Sequence, residues 1–300
     1  MPNAADGKTG PGLFPAFLFC LLSACSSAPA RPAEIVLTRS AAAALLEQAN
    51  READRGNYEA ALSRAQEARR MAVSVDDPPL RIMTGLSIGN SLFFLNRQDD
   101  ADAAWRSALE DAEAEGGAEL AAVCRIYRAR WDLLSALAQT DGGERPGMEE
   151  IRSQVQAELG VIKTDRLSAA LGWIVTGLAE KELGRYREAE AALKKALALH
   201  EEDLYLEQAA YDWYLIASVF SVAGRYAEAE AALIEALRFD RRAENVYGLG
   251  KDWLALGDVL TKAGGQNHAA AAYQRAAEIF ESGGFETEAE AARRRSGPGK

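Results

Sequence analysis

Beyond residue 40 the chain alternates between two kinds of apolar pattern, both with helical spacing. One kind carries large residues three to five apart, as in Leu167, Leu171, Ile174, Leu178 and Leu183. The other, near 187–199, carries a narrower stripe of Ala189, Leu193, Ala196 and either Ala198 or Leu197. Recurrence at three and four residues puts such side chains on one face of a helix. Gly184 stands between the two patterns, where a left-handed C-cap ends the first helix. Glu188 and Glu190 follow, and acidic residues favour a helix N-terminus because they face the positive end of its dipole. The pattern therefore predicts a pair of antiparallel helices.

The pair repeats with a spacing of 40 residues. The run from Gly184 (GRYREAEAAL) returns at Gly224 (GRYAEAEAAL), more loosely at Gly264, and earlier at Gly56 and Asn96. Ala61, Ala101, Ala189, Ala229 and Ala269 form one column; Ala68, Ala108, Ala196, Ala236 and Ala276 form another. Trp173, Trp213 and Trp253 each precede their glycine by eleven residues, and Trp131 precedes Gly142 likewise, which marks a degenerate unit reaching into 148–163. Six units result. Fixed alanine columns belong where two helix backbones approach closely, since a larger side chain there costs about 1–3 kcal/mol in overpacking.

Composition sharpens this picture. Sixty of the 300 residues are alanine, the best helix former. The net charge of −11 argues against a nucleic-acid partner, which needs a basic face. Near 286–295 three glutamates precede three arginines, the order that complements a helix dipole, and this stretch reads as a polar capping helix.

The repeat resembles the tetratricopeptide repeat. The resemblance spans Ser40 to Phe280 and is best at Trp173, Gly177, Gly184, Tyr186, Ala189 and Ala196, and again at Trp253, Leu256, Gly257, Gly264, Ala269, Tyr273 and Ala276. The units here are about six residues longer than that family's usual 34. Glu201, Arg241 and Glu281 stand where its terminal proline falls. The resemblance implies an all-α, right-handed α–α superhelix of about six helix pairs over 40–282, closed by a capping helix and tail over 283–300. It also implies a concave groove lined by first helices. Family positions carried over place Leu86, Asn90, Phe93, Ile174, Tyr211, Tyr214, Lys251 and Leu254 there, with Met83, Leu171, Leu178, Ser218 and Asp258 beside them. Some members clamp a terminal carboxylate; Asn90 matches one clamp position, but Leu86 replaces the cation that the clamp requires. The groove's aromatic middle instead suits a hydrophobic peptide, a partner helix or self-association.

The first 24 residues read as an address. Leu13–Leu22 is a ten-residue apolar run, about half of what spans a bilayer, and fits the core of a secretory signal. Leu22-Ser23-Ala24-Cys25 resembles the lipobox of bacterial lipoproteins. That resemblance implies cleavage before Cys25 and acylation of that cysteine, with 25–39 forming the anchor and a flexible tether. Ser26 in the following position implies the outer membrane, with the protein facing the periplasm of the cell envelope. Once Cys20 leaves with the signal and Cys25 carries lipid, Cys124 has no thiol to pair with.

Chemistry is sparse. Gly85-Leu-Ser87-Ile-Gly89 matches G-x-S-x-G, but it sits within a predicted repeat helix, with no strand before it. His200 and His268 are 68 residues apart and offer no zinc spacing, and no cofactor motif is present. The expected function is a non-enzymatic scaffold lipoprotein that binds an envelope protein or peptide. The alternatives are a ligand-handling lipoprotein partnering a transporter and an esterase built on Ser87.

Overall fold

The computed structural model describes residues 37–115, 117–138 and 147–297. These form thirteen helices and no strand among the described residues. Six antiparallel pairs follow in chain order. They are α1 (Leu37–Asp54) with α2 (Tyr58–Ser74), α3 (Pro78–Phe94) with α4 (Gln98–Ala114), and α5 (Ala118–Ala138) with α6 (Met148–Leu159). Next come α7 (Arg166–Glu182) with α8 (Tyr186–Glu202), α9 (Leu206–Val222) with α10 (Tyr226–Ala243), and α11 (Val246–Lys262) with α12 (Gln266–Ser282). A last helix, α13 (Glu286–Ser296), packs on α12. Each helix contacts its neighbours in sequence, and first helices also touch one another, as α1 with α3 and α9 with α11. This is a helix-pair solenoid.

The repeat columns explain the packing. All ten column alanines are at most 1% exposed. The glycines that share a column on the first helices face the large residue four places after the first alanine column. A Cβ built on Gly89 would lie 2.3 Å from the Trp105 ring; on Gly177 it would lie 2.7 Å from Leu193, and on Gly257 2.4 Å from Tyr273. Each large side chain thus fills the space that its glycine leaves, and the Trp105 indole N–H donates to the Leu86 carbonyl at 3.2 Å. On α8 the buried stripe runs through Leu197, while Ala198 is exposed.

The turns are set by local chemistry. Gly184 has φ +73° just past α7, and the amides of Gly184 and Arg185 donate back to Lys181 and Glu180. That arrangement satisfies carbonyls the helix end would leave bare. Asp77, Asp165 and Asn245 cap α3, α7 and α11 by accepting the amides of Leu80, Ser168 and Gly248. In the degenerate third pair, Met148, Ile151 and Val155 bury α6 against the core. Glu119 accepts the amides of Lys163, Thr164 and Asp165 at 2.5–3.1 Å, which ties the loop before α7 to α5.

Candidate functional site

Among the described residues no group of His, Cys, Asp and Glu could hold a metal ion, and no helix is long and apolar enough to cross a membrane. Cys25 lies outside the described residues. Ser87 is buried in the middle of α3, where its hydroxyl donates to Asn50 at 3.0 Å. No histidine is on that helix or its partner: His200 is on α8 and His268 on α12. A buried mid-helix serine bonded to an asparagine is not a nucleophile elbow, which needs a strained strand-to-helix turn.

The groove positions separate into two groups. Leu86 and Ile174 are 1% and 8% exposed and belong to the core, where neither presents a surface to a ligand. Asn90, Phe93, Tyr214, Lys251 and Leu254 are half-buried, while Tyr211 is 50% exposed. Tyr211 and Tyr214 stack with ring centroids 6.2 Å apart and planes 11° from parallel. Of the adjacent pair Phe93 and Phe94, Phe93 packs towards Trp105, while Phe94 is 42% exposed and stacks on Tyr58 at 4.6 Å. The exposed ring at this place is therefore Phe94.

Electrostatics show that the wall is concave and nearly closes on itself. Burial pushes up the hydroxyl of Tyr211, although half of the residue meets solvent. A side chain standing in a concavity has both properties, since protein surrounds it without covering it. Burial likewise raises Tyr127 and Tyr214 to about 12. Tyr58, at the start of α2, is raised by burial and then by Tyr247 at the start of α11, and it also senses Arg130 and Tyr211. Asp54 is pushed up to about 6, first by burial, then by Glu207 at the start of α9, with Arg130 and Arg55 opposing. The first unit therefore faces the fifth and sixth across a narrow channel, with Arg130 of α5 between them.

Sequence reasoning missed Arg130, Asp54, Tyr58, Glu207 and Tyr247. The signal for Arg130 was present, because it lies 40 residues after Asn90 and shares its column. The others come together only through the curvature of the whole solenoid. At the far end, Asp258 accepts the Tyr273 hydroxyl at 2.8 Å and both bonds from Arg295 of α13 at 2.7 and 2.8 Å. The last helix thus reaches back to a groove position.

A second missed feature lies at the joints between units. His200 of α8 meets Asp212 of α9 at 2.6 Å, both buried. One repeat later Asp240 of α10 and Asp252 of α11 occupy the same two positions, also buried. Burial raises Asp212 to about 6, against the His200 hydrogen bond, and raises Asp240 to about 7. Asp252 is raised well above the usual carboxylate range by burial and by Asp240. Two carboxylates sharing a buried site cannot both ionise at ordinary cost.

No curated protein matches the sequence significantly. The tetratricopeptide repeat family model matches residues 172–203, which cover most of α7 and α8. Among solved structures, a Rap protein complexed with Competence and Sporulation Factor superposes with TM-score 0.57 at 17% identity, over 84% of this chain and 72% of that one. PilW, described as a type IV pilus biogenesis factor, gives 0.50 at 17% identity, over 83% and 97%. A signal-transduction ATPase from Pyrococcus horikoshii with a tetratricopeptide repeat sensor gives 0.50 at 14% identity, over 86% and 42%. At such identities the likeness is one of fold, and the chain is an all-helical, helix-pair solenoid that contains a tetratricopeptide repeat.

Proposed function

We propose that this protein is a non-enzymatic scaffold, anchored to the bacterial envelope through lipid on Cys25, that holds a partner protein or peptide in its concave channel. The observation that carries the binding reading is the inner wall itself. Tyr211, Tyr214, Phe94 and Tyr58 form two stacked aromatic pairs on a concave surface, with Tyr211 and Phe94 left half open. Aromatic side chains in partly enclosed sites are the residues that dominate binding energy at protein interfaces. The same fold occurs in a Rap protein captured with Competence and Sporulation Factor. The lipobox at 22–25 supports the anchor.

Photocrosslinking from position 211 in intact cells tests the binding reading, with position 234 on α10, a 51%-exposed isoleucine, as the control. A discrete partner trapped from 211 and not from 234 is the expected result. The same products from both positions would refute it. For the anchor, Cys25→Ala should abolish metabolic labelling with a fatty acid, and retained labelling would remove the lipid reading.

A further inference from the structure

The channel holds charges that have no partners. Asp54, Arg130 and Glu207 come from α1, α5 and α9, and each alters or is altered by another across the channel. Yet none of the three makes a hydrogen bond or ion pair within the described residues. Elsewhere this protein pairs its charges readily: Arg81 bonds Asp111 and Glu115, and Arg166 bonds Asp203 and Glu202. Three unpaired charges at one waist, each fixed on a different helix, leave a gap that a ligand can bridge.

The sign of the waist follows from its contents. Two carboxylates face one guanidinium, and Glu207 acts on Asp54 more strongly than Arg130 does. Around them stand the faces of Tyr58, Phe94, Tyr211 and Tyr247. Aromatic faces attract cations through the ring quadrupole, and the Arg130 guanidinium already sits 5.9 Å over the Phe94 ring. The width follows from the same interactions. Charges influence one another over about 8 Å at physiological salt, whereas a helix with its side chains is about 10–12 Å across. The waist is too narrow for a helix and fits an extended strand.

We infer that the channel waist takes an extended peptide segment of the partner, with an arginine or lysine seated between Asp54 and Glu207 and held by the surrounding aromatic rings. This rests on the concave channel being the binding surface. Asp54 is faced by Arg55 and Tyr58 from its own pair, by Arg130 from α5 and by Glu207 from α9. Recognition of the cation therefore weakens in acid, as Asp54 gains its proton below about pH 6.

The test is selection of a random peptide library displayed on phage against the full-length protein. Recovered peptides should be enriched in Arg or Lys at one position and should tolerate proline beside it, as an extended segment does and a helix does not. Asp54→Asn with Glu207→Gln should weaken a recovered peptide roughly tenfold, the scale of a lost charge-assisted contact. Arg130→Gln should tighten it, because the competing cation is gone, and a misfolded variant would not bind more tightly. Enrichment of acidic residues, or binding lost on Arg130→Gln, would overturn the inference. Binders without a charge preference that still need Tyr211 would overturn it while leaving the channel as the binding surface. Recovery only of peptides indifferent to Tyr211→Ala would overturn both.

Discussion

The two halves of the solenoid fill one repeat position with different chemistry. Between the first and second units that position holds Ala72 opposite Thr84, and between the second and third Ala112 opposite Cys124, all buried. Thr84 returns its hydroxyl hydrogen bond to α3 itself, and Cys124 donates weakly to the Ala108 carbonyl at 3.6 Å. Burial pushes the Cys124 thiol up to about 12, so it stays neutral. In the C-terminal half the same position holds His200 with Asp212 and Asp240 with Asp252. The geometry is conserved along the solenoid while the electrostatics change. Backbone packing, fixed by the alanine columns, therefore sets the joint, and the joint accepts any pair of side chains that can neutralise one another.

The largest effect should come from splitting a buried pair. His200→Ala leaves Asp212 buried without its partner and should cost about 3–5 kcal/mol in chemical denaturation. Ala112→Ser, at the equivalent place in the N-terminal half, should cost far less, because no buried charge loses a partner. Equal costs would erase the contrast between the halves. Next comes Gly89→Ala, where the new methyl would meet the Trp105 ring at 2.3 Å. Overpacking of this kind costs about 1–3 kcal/mol, and hydrogen exchange should show the loss confined to the N-terminal half.

The pH dependence of stability separates the halves further. Asp212, Asp240 and Asp252 all have folded-state values raised above 3.8, which is the unfolded value. The folded state binds more protons there, so their stabilisation is complete below about pH 4 and is lost as pH rises through about 6 to 7. Melting temperature should fall between pH 5 and pH 8, with exchange rising first at the joints of α8–α9 and α10–α11. Asp252→Asn should remove much of that slope. Glu119 runs the other way: three backbone amides hold its carboxyl down at about 2. The loop before α7 should keep its tie above the ordinary carboxylate range and lose it as pH falls towards 2. The smallest effect belongs to Arg295→Ala. Its bonds to Asp258 join two half-exposed groups, and exposed pairs contribute about 0–1 kcal/mol.

Much of the fold was legible because repeats record it several times over. The columns of alanine, the glycines at 89, 177 and 257, and the left-handed turn at Gly184 each announce a local steric need. The joint chemistry was also written in the sequence, as a twelve-residue spacing from His200 to Asp212 that recurs from Asp240 to Asp252. The channel was not. Leu86 and Ile174 share a repeat position with Tyr214 and Leu254, yet they turn out to be core. Small differences in how pairs stack decide whether one register faces the groove or the neighbouring helix. The approach of Tyr58 to Tyr247 depends on rotations accumulated over five joints, and no local pattern encodes that sum.

The closure of the channel underlies both the binding surface and its choice of an extended basic segment. It is tested most directly by replacing Tyr58 and Tyr247 with cysteine and treating the protein with a short bismaleimide, with the linked peptides read by mass spectrometry. A high yield of the intramolecular 58–247 link is predicted, with no link when position 247 is exchanged for 234 on α10. Failure of the 58–247 link under conditions where both thiols react would show an open arc and would contradict the account.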